Sequence, residues 1–593
     1  MIQENFIRLF EDAFRKNWDL PAFSNYGEDY TLTYEDLAKR VSKLHILFEQ
    51  CNIKQNDKIA LVGRNNSNWA ATYIATVTYG AIIVPILQDF NANDIHHITN
   101  HSESKLLFTG DNIWENLEEE KLTTPIAVFS LTDFNCITLL NTNSNHPEKV
   151  EDIDNVKEPK NIELADKNKN ELDSNQMKPE VVNSIFKSRY PHGFFRDNVR
   201  YIDKPNSEIV SINYTSGTTG FSKGVMTSGN ALAGNITFGL KTGLVAPNYR
   251  IISFLPLAHS YGCAFEFLTS TISGCHIHFI GRIPSPKILL TAFSEIKPNV
   301  VFLVPLIVEK IYKKQIQPLL SKPRMRWVLS IPFLDQPILN QIKKKLMDAF
   351  GGNFSQLVIG GAPLNAEVEA FFHKIKFPYT IGYGMTECAP LISFSDYKEF
   401  VPNSAGKILD TMEVRIINKD QGSGIGEICV RGENVMSGYY KNQEATDSIF
   451  DAEGWLHTGD LGTVDADGNI FIRGRNKSMI LGSSGQNIYP EEIEAKLNNM
   501  PFVMESLVIE SNGKLIALVC PDYEAVDVEK IDEKQLEDVM EENRKTLNSI
   551  VASYESISKI KLYPIEFEKT PKKSIKRYLY SNGFIGSKES DNK

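Results

Sequence analysis

Apolar residues in the first part of the chain follow two alternating patterns, helical spacing and short continuous runs. Thr33 and Asp36 form a signal for a helix start. The apolar positions that follow at helical spacing are Leu37, Val41, Leu44 and Phe48. A second helix is predicted around Trp69 to Tyr79, and the runs typical of buried strands are 59–62, 81–84 and 106–108. This alternation predicts a parallel sheet in an α/β fold.

The first predicted helix has one strongly apolar face, formed by Phe6, Leu9, Phe10, Ala13 and Phe14. Such a stripe usually packs on the helix's own domain, which is the interpretation we favour. A helix that lies on a membrane surface has the same pattern, so that alternative stays open.

Between about residues 141 and 180 the composition changes to Asn, Lys, Asp and Glu with few large apolar residues. Such a segment can bury little surface, so it predicts an exposed insertion that is flexible or partly disordered. Its acidic and basic residues are mixed, as in a solvated surface. Nothing in the sequence supports a role as a lid or as a docking site for a partner.

Two hairpins are predicted in the last third of the chain. One has Asp467-Gly468 as its turn between Val464 and the run 470–472, and the other surrounds Asn512-Gly513. These patterns predict a large N-terminal domain, residues 1–474, of stacked and partly parallel α/β sheets. A small α+β C-terminal domain, residues 475–593, follows it.

Size, charge and cysteine content exclude several classes of protein. The chain has 593 residues and a formal net charge of -11, which argues against nucleic-acid binding. Its polar start is not a signal peptide and no apolar run could cross a bilayer, so we expect a cytoplasmic protein. The seven cysteines form no Cys-x-x-Cys pair and are expected to be reduced and mostly buried.

The stretch Tyr214-Thr215-Ser216-Gly217-Thr218-Thr219-Gly220-Phe221-Ser222-Lys223-Gly224 combines hydroxyls, unhindered backbone amides and one cation. It follows the predicted buried strand 209–214, so we expect it to turn off a sheet edge and to hold a polyphosphate. A nucleotide-binding P-loop requires Gly before the lysine and Ser or Thr after it. Here Ser222 precedes Lys223 and Gly224 follows it, so that pattern fails. A Gly- and Thr-rich surface turn without a ligand remains the alternative.

Two further clusters contain candidate site residues. In the segment 382–387, Tyr383 is suited to stack on a purine and Glu387 to hold magnesium, although a surface carboxylate at a strand end would look the same. In the segment 454–461, Asp460 is expected on a turn ahead of the first hairpin, where a carboxylate can accept both hydroxyls of a ribose. Arg475 is suited to bind the same ribose or a phosphate oxygen, or is one surface arginine among many.

In order and spacing these pieces resemble the adenylate-forming superfamily, which includes acyl-CoA synthetases, firefly-type luciferases and peptide-synthetase adenylation domains. The resemblance spans nearly the whole chain. The matching segments are Leu32-Thr33-Tyr34-Glu35-Asp36-Leu37, the phosphate loop 214–224, Leu255-Pro256-Leu257-Ala258-His259-Ser260, Gly360-Gly361-Ala362-Pro363-Leu364, 382–387 and 454–461.

The resemblance implies a reaction in which an acid attacks the α-phosphate of ATP to form an acyl-adenylate, and a thiol then displaces AMP. It implies that Glu387 with Thr386 positions magnesium, that Asp460 with Arg475 binds the ribose, and that His259 shapes the entrance to the acyl site. The residues implied to hold the β- and γ-phosphates are Thr215, Ser216, Gly217, Thr218, Thr219, Gly220 and Lys223. Those implied to hold adenine are Tyr383, Gly361 and Ala362.

The family pattern also implies a C-terminal domain that swings between the two half-reactions. Lys477 falls at the hinge position, and Gly485 is expected to line the pantetheine passage. The family's catalytic lysine in this domain is absent, because its position holds Ser574. Lys573 is the expected replacement and Lys572 the next choice, while a solvated basic run is the alternative.

The segments 302–312 and 566–571 look most like those of long-chain fatty-acid CoA ligases. The expected function is therefore a fatty-acid CoA ligase that uses ATP, magnesium and coenzyme A. A fatty-acyl-AMP ligase that loads a carrier protein and a non-catalytic acyl-adenylate-binding protein remain alternatives. Acyl chain length, peripheral contact with the inner face of a membrane, and oligomeric state stay open.

Overall fold

The structure is a computed structural model, and it describes residues 2–140, 173–215, 222–282, 285–320, 335–481, 487–511, 514–570 and 575–580. No helix within these ranges combines the length and the apolar character needed to cross a bilayer. The large N-terminal part is an assembly of helices and several sheets with one extensive hydrophobic core and a second, smaller one.

The strands of this part are β1 Pro21–Asn25, β2 Thr31–Thr33, β3 Lys58–Val62, β4 Ile82–Ile86, β5 Ser104–Thr109, β6 Ala127–Ser130, β7 Cys136–Leu139, β8 Ile209–Thr215, β9 Lys223–Ser228, β10 Arg250–Ser253, β11 His276–Phe279, β12 Val301–Leu303, β13 Leu357–Ile359, β14 Tyr379–Ile381, β15 Tyr383–Gly384, β16 Leu391–Ser393, β17 Met412–Ile417, β18 Gly426–Gly432, β19 Gly438–Tyr439, β20 Leu456–Val464 and β21 Ile470–Arg475. Its α-helices are α1 Phe6–Lys16, α2 Tyr34–Gln50, α3 Ser67–Tyr79, α4 Ala92–His101, α5 Asp111–Trp114, α6 Pro179–Arg189, α7 Gly229–Lys241, α8 Ser270–Ser273, α9 Pro286–Ile296, α10 Pro305–Ile311, α11 Gln317–Leu320, α12 Asp335–Ala349, α13 Ala366–Lys374 and α14 Gln443–Asp447. A π-type turn, Gly262–Thr269, precedes α8.

The largest sheet has eight strands in the order β19-β9-β8-β4-β3-β5-β6-β7. Its central strands β8, β4, β3, β5 and β6 are parallel, whereas β9, β19 and β7 join in antiparallel register. The sequence prediction of a partly parallel α/β sheet is therefore confirmed. The predicted strand before the phosphate loop is also confirmed as β8, but it lies inside the sheet and not at its edge.

Four smaller sheets occur among the described residues of the N-terminal part, and the smallest is the antiparallel pair β15–β16. Strands β10, β11 and β1 are parallel, with β2 added antiparallel to β1. Strands β12, β13 and β14 form a fully parallel sheet. Strands β17, β18, β20 and β21 form an antiparallel sheet, and its β20–β21 hairpin turns where the sequence predicts, with Val464 opposite Ile470.

Helix α1 packs on its own domain, as we favoured. Phe6, Phe10 and Phe14 are each at most 1% exposed and contact one another edge to face. The membrane-surface interpretation of this face is wrong, because the rings are covered by protein. The predicted start of α2 is also confirmed, since Thr33 and Asp36 cap each other's backbone amides.

The polar insertion lies largely outside the described residues, which resume at Asp173. Its C-terminal limit near residue 180 stays a prediction. Met177 is only 1% exposed and α6 begins at Pro179, so the chain has already rejoined the folded domain there. One apolar residue in a polar stretch gives little warning of this return.

The C-terminal part has its own small core. Its elements are the strands β22 Ile480–Leu481, β23 Asn487–Ile488, β24 Val503–Ser511, β25 Lys514–Pro521 and β26 Ile557–Leu562, and the helices α15 Pro490–Leu497, α16 Tyr523–Glu529 and α17 Glu533–Ile550. Strands β24 and β25 form the second predicted hairpin, with Ser511 opposite Lys514. The main N-terminal core ends at Ile470 and the C-terminal core begins at Ile488. The architecture of a large and a small domain is thus confirmed, while the boundary at residue 475 stays a prediction.

Candidate active site

The two ends of the phosphate loop are adjacent in space. Thr215 at the end of β8 is paired with Lys223 at the start of β9. Ser216, Gly217, Thr218, Thr219 and Gly220 lie outside the described residues. A cavity of about 450 Å³ opens beside Lys223 and is also lined by His101 and Lys441. The Lys441 ammonium is paired with Glu103 at 2.7 Å, so Lys223 is the lining cation that is well placed to hold an anion.

The phosphate lysine and the proposed metal carboxylate are joined by Tyr439, which the sequence analysis missed. The Lys223 ammonium lies 5.0 Å from the centre of the Tyr439 ring. The Tyr439 hydroxyl donates a hydrogen bond of 2.9 Å to Glu387 Oε1. The sequence shows only the pair Tyr439-Tyr440 after a glycine, and this does not reveal that the segment joins β9 as strand β19.

The ends of β13 and β14 bring the predicted adenine site together. Val358 and Thr380 are paired neighbours in these parallel strands, so the segments that follow, 360–362 and 382–383, leave the same edge of the sheet. Gly361 has a φ of 88°, a conformation that favours glycine, and both it and Ala362 are exposed. Gly384 allows β15 to approach β16, since a Cβ there would lie 2.2 Å from the Pro390 carbonyl oxygen.

Asp460 lies inside strand β20 and not on the turn that the sequence analysis expected. It is directly opposite Arg475, whose Nε lies 3.1 Å from Asp460 Oδ1. The hydroxyl of Tyr383 donates a 2.7 Å hydrogen bond to Asp460 Oδ2. The structure therefore brings Asp460 into contact with both Tyr383, which lies 77 residues earlier in the chain, and Arg475.

The Asp460 carboxylate is buried, and its surroundings shift its pKa. Burial raises the pKa of Asp460 above its ordinary value, although Arg475 and the Tyr383 hydroxyl act in the opposite direction. Burial also raises the pKa of Tyr383, with a further contribution from Asp460, so its hydroxyl stays a donor. Because Glu387 contributes to the raised pKa of Asp460, the two carboxylates belong to one electrostatic site.

The loop that presents His259 is held by two buried side chains that sequence reasoning missed. The Asn65 side chain donates to the Leu255 carbonyl at 2.7 Å and accepts from the Leu257 amide at 3.1 Å. Glu266 is fully buried in the π-type turn and accepts from the Leu255 amide at 3.2 Å. Burial raises the pKa of Glu266 far above its ordinary value. His259 itself is partly exposed at the end of this loop.

Glu387 and Thr386 belong to one 3-10 turn, and their chemistry fits magnesium. Magnesium is usually bound by one or two carboxylates together with waters and substrate phosphates, not by a cage of protein ligands. Glu387 is half-buried, and Thr386 is 7% exposed. Within the described ranges no three His, Cys, Asp or Glu side chains gather around a common point. A site completed by ATP phosphates therefore suits these residues.

Three sequence predictions concern the C-terminal part. Lys477 lies in the 3-10 turn Asn476–Ser478, between β21 and the first strand of the small domain. Gly485 lies outside the described residues, and the strands before and after it in the chain, β22 and β23, are paired. Lys573 and Ser574 also lie outside them, and the described residues Lys569 and Ile575 on either side are paired.

The two domains contact each other through polar groups that the sequence did not indicate. Lys313 Nζ donates a 2.9 Å hydrogen bond to the carbonyl of Asn498, directly after α15. Next to it, the Asn365 side chain donates to that of Asn499. The Asn365 amide in turn donates to Glu309 at 3.0 Å. The first two of these hydrogen bonds join the large and the small domain in the structure.

Comparison with solved structures shows the same fold at low sequence identity. ATP-bound MatB from Rhodopseudomonas palustris has a TM-score of 0.71 and 22% identity, and the match covers 97% of this chain and 98% of that one. The anthranilate CoA ligase AuaEII in complex with anthranoyl-AMP has a TM-score of 0.72 and 17% identity, with coverage of 97% and 96%.

Curated sequences give a consistent result. The long-chain-fatty-acid–CoA ligase FadD15 of Mycobacterium bovis is 25% identical over an aligned length of 604 residues, gaps included. The alignment covers 94% of this chain and 92% of that protein. The human long-chain-fatty-acid–CoA ligase ACSBG1 is 25% identical over 556 residues, covering 86% of this chain and 70% of that protein. The family model described as AMP-binding enzyme matches residues 10–440. The chain therefore belongs to the AMP-binding enzyme family and has the fold of an adenylate-forming ligase.

Proposed function

We propose that this protein is an ATP- and magnesium-dependent acyl-CoA ligase whose acid substrate is a long-chain fatty acid. The observation that supports it most is the contact of Tyr383 with Asp460 and of Asp460 with Arg475, which unites three separate motifs in one site. The long-chain substrate is supported by relatives such as FadD15, whose name describes that specificity.

In this proposal each contact has a task in nucleotide binding. Asp460 accepts the two ribose hydroxyls, Arg475 adds a positive charge beside them, and Tyr383 with the exposed 361–362 segment contacts adenine. Lys223 and the loop 215–220 bind the β- and γ-phosphates. Magnesium, when bound by Glu387 and Thr386 with the phosphates, would neutralise part of the negative charge.

The first half-reaction forms a bond between a carboxylate oxygen of the acid and the α-phosphorus, and breaks the bond from that phosphorus to pyrophosphate. In the second, the thiol gives up its proton to solvent, its sulfur attacks the acyl carbon, the bond from that carbon to the AMP oxygen breaks, and AMP leaves. Acids of this kind are ionised at neutral pH, so no protein nucleophile is needed. The protein contributes alignment and charge stabilisation, the terms that dominate phosphoryl-type transfer.

Lys573 remains the proposed cation of the adenylation step. The nearest described lysines on either side are in ion pairs, because Lys569 Nζ lies 2.7 Å from Glu505 and Lys576 Nζ lies 3.6 Å from Glu568. We therefore expect Lys573→Ala to slow acyl-adenylate formation while leaving thioester formation from supplied acyl-adenylate intact. A Lys573→Ala variant with the full adenylation rate would contradict this role.

The test is a product analysis with the purified full-length chain, ATP, magnesium, CoA and saturated fatty acids of graded length. We expect AMP and pyrophosphate in equal amounts, together with acyl-CoA detected by mass spectrometry, and the highest rates with long chains. Formation of only ADP and orthophosphate with every acid would refute the proposal. Glu387→Gln serves as the matched inactive control because it keeps the side-chain shape and removes the charge.

The same assay distinguishes the alternatives. Acyl-adenylate that forms but reacts only with a carrier-protein thiol would identify a fatty-acyl-AMP ligase. ATP binding without turnover for any acid would identify a binding protein.

A further inference from the structure

Tyr439 lies between two groups of the nucleotide site and contacts both. Its side chain is buried, with 6% of the residue exposed. The hydroxyl donates to Glu387 Oε1 at 2.9 Å, while the ring face lies 5.0 Å from Lys223 Nζ. The phenol therefore spans the distance between a lysine suited to phosphate and a carboxylate suited to magnesium.

Backbone hydrogen bonds fix Tyr439 on both sides. The Tyr440 amide donates to the Gly224 carbonyl at 2.7 Å, and the Met436 amide donates to the Glu387 carbonyl at 2.8 Å. The Tyr439 amide donates to the Thr446 hydroxyl at 2.9 Å. This short segment thus ties the start of β9 to the 3-10 turn that presents Glu387.

The chemistry of the phenol suits a fixed donor. A phenol hydroxyl carries a proton at neutral pH. Here it donates that proton in a hydrogen bond to one oxygen of the Glu387 carboxylate and so orients it. Groups that orient a metal-binding side chain in this way influence metal affinity strongly, typically by about 10- to 100-fold.

We propose that Tyr439 is a positioning residue that holds Glu387 and Lys223 at a fixed separation, so that magnesium and the ATP phosphates are bound as one unit. This inference rests on the proposed function, because it assigns magnesium to Glu387 and phosphates to Lys223. It adds a residue outside every motif that pointed to the site.

Two substitutions separate the two contacts. Tyr439→Phe removes the hydrogen bond to Glu387 and keeps the ring beside Lys223. We expect it to weaken magnesium binding by about 10-fold in the presence of ATP, and to change binding of metal-free ATP by less than about twofold. Tyr439→Leu removes the ring as well, so it should also weaken metal-free ATP binding, by about threefold or more.

The measurement is calorimetric titration of the full-length protein with ATP at several magnesium concentrations, with magnesium-dependent AMP formation as a second readout. Tyr26→Phe is the matched control, because the Tyr26 hydroxyl donates to Glu295 at 2.6 Å and neither residue lines the cavity beside Lys223. Circular dichroism melting checks that each variant is folded. Since Tyr439→Phe removes one oxygen atom, it keeps the test informative even if Tyr439→Leu unfolds.

A double-mutant comparison identifies the route of the effect. In a Glu387→Gln background, Tyr439→Phe should produce no further loss of magnesium affinity, because the carboxylate that it orients is gone. Unchanged magnesium dependence in Tyr439→Phe, with normal ATP binding and turnover in the wild type, would overturn this inference alone. Absence of ATP binding in the wild type would instead overturn the proposed function.

Discussion

Replacement of Asp460 by asparagine tests the nucleotide site most directly, because it removes the charge and keeps the side-chain shape. In the structure this carboxylate is 6% exposed and contacts the Tyr383 hydroxyl at 2.7 Å and Arg475 Nε at 3.1 Å. An aspartate can accept both ribose hydroxyls, whereas an asparagine offers one acceptor oxygen.

The expected loss in binding follows from the hydrogen bonds. A hydrogen bond to a charged group contributes about 1.5–3 kcal/mol, so losing one of two should weaken ATP binding by roughly 10- to 100-fold. Stability should change by less than about 1 kcal/mol, because Tyr383 can donate to the asparagine carbonyl and the largely exposed Arg475 returns to water. Asp460→Ala should destabilise more, by about 1–3 kcal/mol, since it leaves the buried Tyr383 hydroxyl without this acceptor.

Calorimetric titration with ATP and melting curves by circular dichroism measure the two effects separately. Tyr383→Phe is the control that removes only the structural hydrogen bond. The reasoning is refuted if Asp460→Asn binds ATP as the wild type does while it melts as early as Asp460→Ala. ATP binding should also weaken as pH falls, because the Asp460 carboxylate becomes protonated. Since burial raises the pKa of Asp460, this loss should begin at a higher pH than it would for an exposed aspartate.

Three further predictions concern stability and domain contact. Burial lowers the pKa of His45 to about 4, whereas in the unfolded chain this histidine has its ordinary pKa near 6.5. As pH falls from 6.5 to 4 the unfolded chain therefore takes up a proton that the folded chain does not, and the free energy of unfolding should fall by up to about 3 kcal/mol. His45→Gln should flatten that slope in pH-dependent melting curves. The guanidinium groups of Arg415 and Arg431 lie 4.5 and 4.6 Å from the Trp455 ring. Trp455→Leu should therefore lower the melting temperature and lose about 1–2 kcal/mol of cation–π stabilisation, whereas the control Trp455→Phe keeps an aromatic ring and should lose less. Lys313→Met removes the hydrogen bond to the Asn498 carbonyl, which joins the two domains. The domains should then separate more often, which raises the radius of gyration in small-angle scattering. An unchanged scattering profile would show that this contact does not hold the domains together.

Local patterns in the sequence were sufficient for many elements. The capping pair Thr33 and Asp36, the strand before the phosphate loop and both hairpins are where the sequence predicts them. Each depends on residues that are near in the chain, such as the turn at Asp467-Gly468, so sequence spacing alone specifies it.

The sequence was less informative where an outcome depends on distant partners. Asp460 was expected on a turn, but pairing with Arg475 in the β20–β21 hairpin extends the strand through it. The stripe on α1 favoured a protein core but also suited a membrane surface, and only its neighbours in space decide between them. Burial of Met177 likewise depends on the helices against which it packs.

The sequence by itself determined the chemical inventory of the site: the hydroxyl- and glycine-rich loop that ends at Lys223, the Glu387 motif and the Asp460 motif. Only the tertiary structure decided that Tyr439 joins Lys223 to Glu387 and that Tyr383 contacts Asp460. The physical reason is that side-chain chemistry and strand or helix periodicity are encoded over a few neighbouring residues. Which strands become neighbours depends on burial summed over the whole core, and no local spacing records it.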